Sequence, residues 1–195
     1  MVVGGPRQPG ERIGIAAPAM CAGSTARLAI EPLVPAHAAG LHAALQHPDV
    51  GRFIGGPDVT TIDAVRARIE RLAAGPGPAR PDERWLNFAV RRNADGAIIG
   101  RLEATTYRTW GEIAYVFDPR WWGHGFASEA TRWLMHHLAE QNVPELWAAV
   151  HPENHASKRL LLRTGFSPVR EPARMLASFH PGDATFVWRD PAPAR

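Results

Sequence analysis

Residues 113–138, IAYVFDPRWWGHGFASEATRWLMHHL, constrain this chain more than any other stretch. Ile113 to Phe117 is a short β-branched and aromatic run of strand length, and Asp118-Pro119 closes it because proline cannot continue a central ladder. Beyond the turn, Ala130, Trp133, Leu134 and Leu138 recur at i, i+3, i+4 and i+8, which places an apolar stripe along one side of a helix. Between strand and helix lie Trp122, Gly123, His124, Gly125, Phe126 and Ala127. Two glycines there permit close backbone approach, so N–H groups at the helix start can converge on an anion such as a pyrophosphate. A tight turn with glycines for geometry alone is the competing reading.

Other phosphate loops are excluded by their chemistry. A P-loop needs Gly-Lys-Ser/Thr, and Lys158 is the single lysine of the chain. A dinucleotide fingerprint would need its third glycine where Ser128 stands, and belongs to a chain's first βα unit.

The remaining chain supplies one domain. It has 195 residues, 45% of them hydrophobic, enough for a single core. A composition rich in Gly, Ala and Pro makes residues 1–24 a disordered extension, residues 25–190 the domain and 191–195 a tail. The net charge of +3 and the isoelectric point near 9.7 arise from arginines scattered among acids, so no nucleic-acid footprint is expected. One cysteine, Cys21, excludes an internal disulfide, and no apolar run approaches the roughly 18 residues of a membrane span. A cytoplasmic protein without membrane attachment, monomeric or homodimeric, is the expectation. His136-His137 and the pair His151, His155 lack a third ligand, so no metal is expected.

In order, residues 27–33 alternate as a strand and 35–46 form a helix; residues 51–57 are a loop offering Phe53 and Ile54. Thr60 or Thr61 caps a helix that ends at Gly75. Strands follow over 85–90 and 98–106, joined by a turn at 93–96, while 107–111 leads into the strand before the glycines. Residues 146–150 form an apolar strand parallel to 113–117, since a helix separates the two. A helix from about Asn154 stops at Gly165, and strands near 174–179 and 184–189 close the chain.

Two motifs now stand in order: Trp122-Gly123-His124-Gly125-Phe126-Ala127 after a strand, and Asn154…Ser157…Gly165-Phe166 after the next. Together they resemble the GNAT N-acetyltransferase superfamily, and the ribosomal-protein (RimJ/RimL-like) branch in particular. That branch is matched further by Ile99-Gly100 and by Glu112-Ile113-Ala114-Tyr115. The resemblance implies an α+β GNAT acyl-CoA N-acyltransferase fold: a twisted, mostly antiparallel sheet with one parallel βαβ unit at the coenzyme A site. It implies acetyl-CoA as cosubstrate and transfer of acetyl to a primary amine, either a peptide N-terminus or a small molecule. Backbone groups of Val116 and Phe117 would hold the acetyl oxygen and pantetheine, and residues Trp122, Gly123, His124, Gly125, Phe126 and Ala127 the pyrophosphate. His124 stands where the family often has Lys or Arg, and a solvated imidazole is the favoured reading.

One departure is chemical. Many members carry a tyrosine seven residues after the motif asparagine to protonate the leaving thiolate, whereas this chain has Leu161. The branch has a serine three residues on, so Ser157 is the candidate acid, with Asn154, Ser157 and Leu161 sharing a helix face by spacing. Helix capping alone would also explain Asn154 and Ser157. Acetyl transfer needs a neutral amine, so Glu112, then Glu103, is the candidate base; an ion-pairing role for Glu112 is equally open. Phe53, Glu103 and Trp110 are the expected substrate contacts. The alternative function is a non-catalytic acyl-CoA-binding module.

Overall fold

The computed structural model describes residues 23–53 and 61–191. Strands β1 (Gly23–Ser24), β2 (Leu28–Pro32), β3 (Glu83–Arg92), β4 (Ile98–Tyr107), β5 (Trp110–Phe117), β6 (Glu145–Val150), β7 (Ser167–Val169) and β8 (Ala184–Arg189) make one sheet in the order β1-β2-β3-β4-β5-β6-β8-β7. Among the described residues β5–β6 is the parallel pair, and the neighbours on either side run antiparallel. Helix α4 (Phe126–Glu140) makes the crossover between β5 and β6. The remaining helices are α1 (Ala38–Leu45), the single turn α2 (Pro48–Gly51), α3 (Ile62–Ala73) and α5 (His155–Arg163). None of the described helices is long and apolar enough to cross a membrane.

Three layers follow from where the apolar side chains point. On one face Phe88, Leu102, Ile113, Leu146 and Phe186 meet Ala130, Leu134 and Leu138 of α4 and Leu160 and Leu161 of α5. Phe88 and Leu102 are wholly removed from water, and each such burial stabilises by about 1.5–3 kcal/mol. On the other face Ala89 and Val116 carry Leu41 and Leu45 of α1 and Val65 and Ile69 of α3. The expected caps form: Thr61 accepts from the Ala64 amide at 3.1 Å, and the turn after β3 closes with Arg92 N–H on the Ala97 carbonyl at 2.8 Å.

Several boundaries differ from the sequence expectation. Gly23–Ser24, placed in the disordered extension, pairs with Ile30 and Ala29 of β2. Its glycine explains this: a Cβ at Gly23 would lie 2.4 Å from Trp133 Nε1, so only a bare backbone packs against that indole. Residues 1–22 lie outside the described part, as do Ile54, Thr60 and most of the 51–57 loop. The helix expected over 35–46 begins with a 3-10 turn, Pro35–His37, and a further single turn, α2, follows it and takes in Gly51, expected to open the 51–57 loop. β5 starts at Trp110 rather than after Gly111.

The strand expected near 174–179 is displaced. Ser167–Val169 pairs with β8 instead, and Pro168 is tolerated because β7 is an edge. Residues 174–179 pair with no strand; Leu176 buries beside Trp147 and Val187, and the amides of Ala177 and Ser178 bind a side chain rather than a strand.

Candidate active site

The sheet splits at its parallel seam. β5 and β6 pair only at Trp110–Glu145, Gly111–Leu146 and Glu112–Trp147. Beyond that point β5 continues with β4 to Phe117 and β6 with β8 to Val150. The β5 edge from Ile113 onward therefore has no strand on its β6 side, and it faces a cleft of about 1000 Å³. Tyr115, Val116 and Phe117 line the cleft, with the glycine loop at one end and the first turns of α5 opposite.

The glycine loop is shaped by its residues in sequence. Asp118, 2% exposed, accepts from the Arg120 backbone N–H at 2.9 Å and ends the strand in a 3-10 turn, Pro119–Trp121. Trp122 Nε1–H donates to the Phe117 carbonyl at 2.8 Å and folds the loop back on β5. Gly123 and Gly125 then take φ of 80° and 82°, a region that glycine enters without steric cost. Gly125 is the N-cap of α4 and offers no side chain to the first-turn amides. Those amides and the positive end of the helix dipole aim at whatever occupies the cleft.

A latch not foreseen from sequence holds this end. Glu129 accepts from the Arg27 backbone N–H at 3.0 Å, from Arg27 Nε at 2.6 Å and from Thr25 Oγ1. Burial would push the Glu129 carboxyl upward, but the Thr25 and Arg27 bonds outweigh it and hold the group below its ordinary value. Arg27 also donates to the His124 carbonyl at 3.0 Å and stacks over the Phe126 ring at 4.5 Å. Arg132 of α4 and Arg159 and Arg163 of α5 also line the cleft and add positive charge to it. The spacing of Arg159 and Arg163, one helical turn apart, was the available signal.

At the opposite side Asn154 Oδ1 accepts from the Ser157 N–H at 3.0 Å, so Asn154 is a helix cap and also lines the cleft. Ser157 Oγ lies 2.7 Å from the Tyr115 hydroxyl. Burial pushes the Tyr115 phenol up to about 12, with the Ser157 bond and the Arg163 charge only partly offsetting it.

Of the expected ligand contacts, Val116, Phe117, Trp122, Gly123, Gly125, Ala127, Asn154 and Ser157 line the cleft, as does Phe53. His124 and Phe126 do not: His124 is exposed beside the Phe126 ring, which is 8% exposed and belongs to the main core. Glu112, the expected base, is also outside the lining. It is 5% exposed, and its oxygens accept from the Ala177 amide at 2.7 Å, the Ser178 amide at 2.9 Å and the Ser178 hydroxyl. Glu103 pairs with Arg68 at 3.0 Å and Arg101 at 3.1 Å and lines a separate hollow of about 220 Å³. Trp110 stacks on Tyr107 at 4.1 Å, with Arg174 above it, away from the cleft. Leu161, expected to share a face with Ser157, is turned into the core and fully buried.

A sheet parted at one parallel seam, with a glycine loop and helix start at the parting, is the arrangement of an acyltransferase. Residues 27–167 match the acetyltransferase (GNAT) domain, and the chain belongs to that family. Over 147 residues, 73% of this chain and 80% of the relative, it is 26% identical to YoaA of Bacillus subtilis (strain 168), an uncharacterized N-acetyltransferase. Among solved structures it shares a TM-score of 0.70 and 16% identity with RimL, a ribosomal L7/L12 α-N-protein acetyltransferase in complex with coenzyme A, covering 85% of this chain and 96% of that one. The ribosomal-protein-S5-alanine acetyltransferase from Vibrio fischeri gives the same TM-score of 0.70 and 16% identity, over 90% of this chain and 100% of that one.

Proposed function

We propose that the chain transfers acetyl from acetyl-CoA to a primary amine by direct attack within a ternary complex. The observation that carries this reading is the cleft itself, which joins an uncapped helix N-terminus to the open edge of β5 with Ser157 alongside. Gly123 and Gly125, at positive φ, leave room for a pyrophosphate against bare backbone, and a Cβ at Gly123 would meet nothing within 4 Å. Arg132, Arg159 and Arg163 bring to the cleft the positive charge that a polyanion needs, while Arg27 is paired with Glu129. The edge of β5 beyond Glu112, which has no β6 partner, suits the amide-rich pantetheine arm in the manner of an added strand.

The reaction requires the amine to arrive neutral, to attack the thioester carbonyl and to leave a thiol. Ser157, on the cleft wall, is the donor to sulfur. Glu112 is engaged with Ala177 and Ser178, so the ammonium proton leaves through water instead. The acceptor is a peptide N-terminus or a small amine, and the ribosomal-protein acceptors named for the structural relatives favour the peptide.

Release of coenzyme A thiol from acetyl-CoA, followed across an amine and peptide panel, tests the reading. Turnover whose rate rises with pH to about 8 marks an α-amine, whereas a rise continuing toward about 10.4 marks a lysine-like amine. Tight coenzyme A binding with no thiol release across the panel would leave a binding module.

A further inference from the structure

The helix position from which many relatives supply a phenol is closed here, since Leu161 is wholly buried in the core. A phenol reaches α5 one turn earlier, at Ser157, from a different element. Tyr115 stands on the stretch of β5 that has lost its β6 partner, and its ring crosses the gap to α5. Its hydroxyl lies 2.7 Å from Ser157 Oγ and both residues line the cleft. The first turn of α5 is itself fixed, because Asn154 Oδ1 holds the Ser157 N–H at 3.0 Å.

We propose that Tyr115 is a positioning residue for Ser157: its phenol donates to Ser157 Oγ and leaves the serine's own O–H free to point at the departing sulfur. This rests on the acetyl-transfer reading of the same cleft. A serine hydroxyl has one proton and two acceptor lone pairs, so the direction of its bond to Tyr115 decides whether that proton is available. The phenol has two acceptors in reach, Ser157 Oγ at 2.7 Å and the Ser157 carbonyl at 3.5 Å, and the hydroxyl is the better placed. It can donate only while protonated, and burial, by pushing Tyr115 up to about 12, keeps it so throughout the working range of pH.

The proton count closes without consuming the phenol. The amine nitrogen forms the C–N bond, the C–S bond breaks with its electron pair on sulfur, and Ser157 gives its proton to sulfur. The surplus proton on nitrogen returns to Ser157 through water, while Tyr115 keeps its own.

The test is a cycle of Tyr115→Phe, Ser157→Ala and the double variant, measured at saturating acetyl-CoA. Phenylalanine keeps the ring that packs against the core and removes only the donor. The expected result is a kcat lowered about 10-fold, equivalent to ~1.4 kcal/mol, with the KM for acetyl-CoA within about twofold and Tm unchanged within a few degrees. In the Ser157→Ala background the same change should cost nothing more, because the hydroxyl it orients is gone. Unchanged kcat in Tyr115→Phe, or losses that multiply in the double variant, would overturn the proposal while leaving acetyl transfer intact. A wild-type chain that releases no thiol with any amine would remove both.

Discussion

Glu112 separates two readings of one carboxylate, and replacing it by glutamine measures which is right. In the structure it is a clamp: three donors from Ala177 and Ser178 converge on its two oxygens. Hydrogen bonds to a charged group contribute about 1.5–3 kcal/mol each, and removing one partner of a buried bond costs about 1–3 kcal/mol. Glutamine keeps one carbonyl acceptor but turns an NH₂ toward the remaining donors, so at least one bond is lost outright. Ala177 and Ser178 are themselves exposed, so water can take up the released amides and the cost falls toward the low end, about 2 kcal/mol. For a domain of this size that lowers Tm by roughly 4–8 °C. Because Glu112 lies outside the cleft lining, kcat should stay within a few-fold. Calorimetry and steady-state rates on one preparation decide the matter. A kcat lowered by about 10²-fold or more with Tm unchanged would refute the clamp and make Glu112 the base, since general-base removal typically costs that much.

Gly125→Val forces a β-branched residue to φ near 82°, straining the backbone by roughly 1–2 kcal/mol, and should weaken acetyl-CoA binding at least about 10-fold by titration calorimetry while the chain still folds. Glu129 is held below its ordinary value of 4.5, so its latch contributes stability above that pH and loses it as pH falls through the lowered value. Wild-type Tm should therefore drop more steeply below about pH 4.5 than that of Glu129→Gln, and parallel curves would show the latch to be idle. Leu161→Tyr adds a ring and hydroxyl to a site with 0% exposure, which should cost about 1–3 kcal/mol and fail to rescue Ser157→Ala. Restored kcat in that double variant would mean that α5 can turn its buried face to the cleft.

What the sequence disclosed was local, and what it withheld was choice of partner. Strand, turn and helix over residues 113–138 were legible because a β-branched and aromatic run, two glycines and period 3.6 are written within 26 consecutive positions. The parallel pairing of β5 and β6 followed from a helix between them, and the caps of Thr61 and Asn154 from residue type at a helix start. The latch between Arg27 and Glu129 joins residues 102 apart, and Tyr115 meets Ser157 across 42, distances at which no periodicity speaks. The displaced last hairpin has a similar cause. Residues 174–179 carry strand-like composition, but Leu176 and the Glu112 carboxylate offered them burial and hydrogen bonds without a ladder.

Strand parity bears on the placement of Glu112. On a strand, residues an odd number apart point to opposite faces, so Glu112 cannot share a face with Tyr115 three positions on. Tyr115 is the side chain that turns toward α5, which sends Glu112, with its cross-strand neighbour Thr105, to the face carrying α1 and α3. Parity alone does not keep a side chain of that face out of the cleft, since Val116, four positions on, lines it beyond the seam between β5 and β6. Glu112 stands at the last paired register of that seam, opposite Trp147, and its oxygens tie down Ala177 and Ser178. The same parity places Trp110 with Glu112, and it too is found stacked away from the cleft. The one β5 side chain whose parity and chemistry both serve the leaving group is therefore Tyr115, the residue whose signal was masked because a tyrosine in a strand ordinarily means packing.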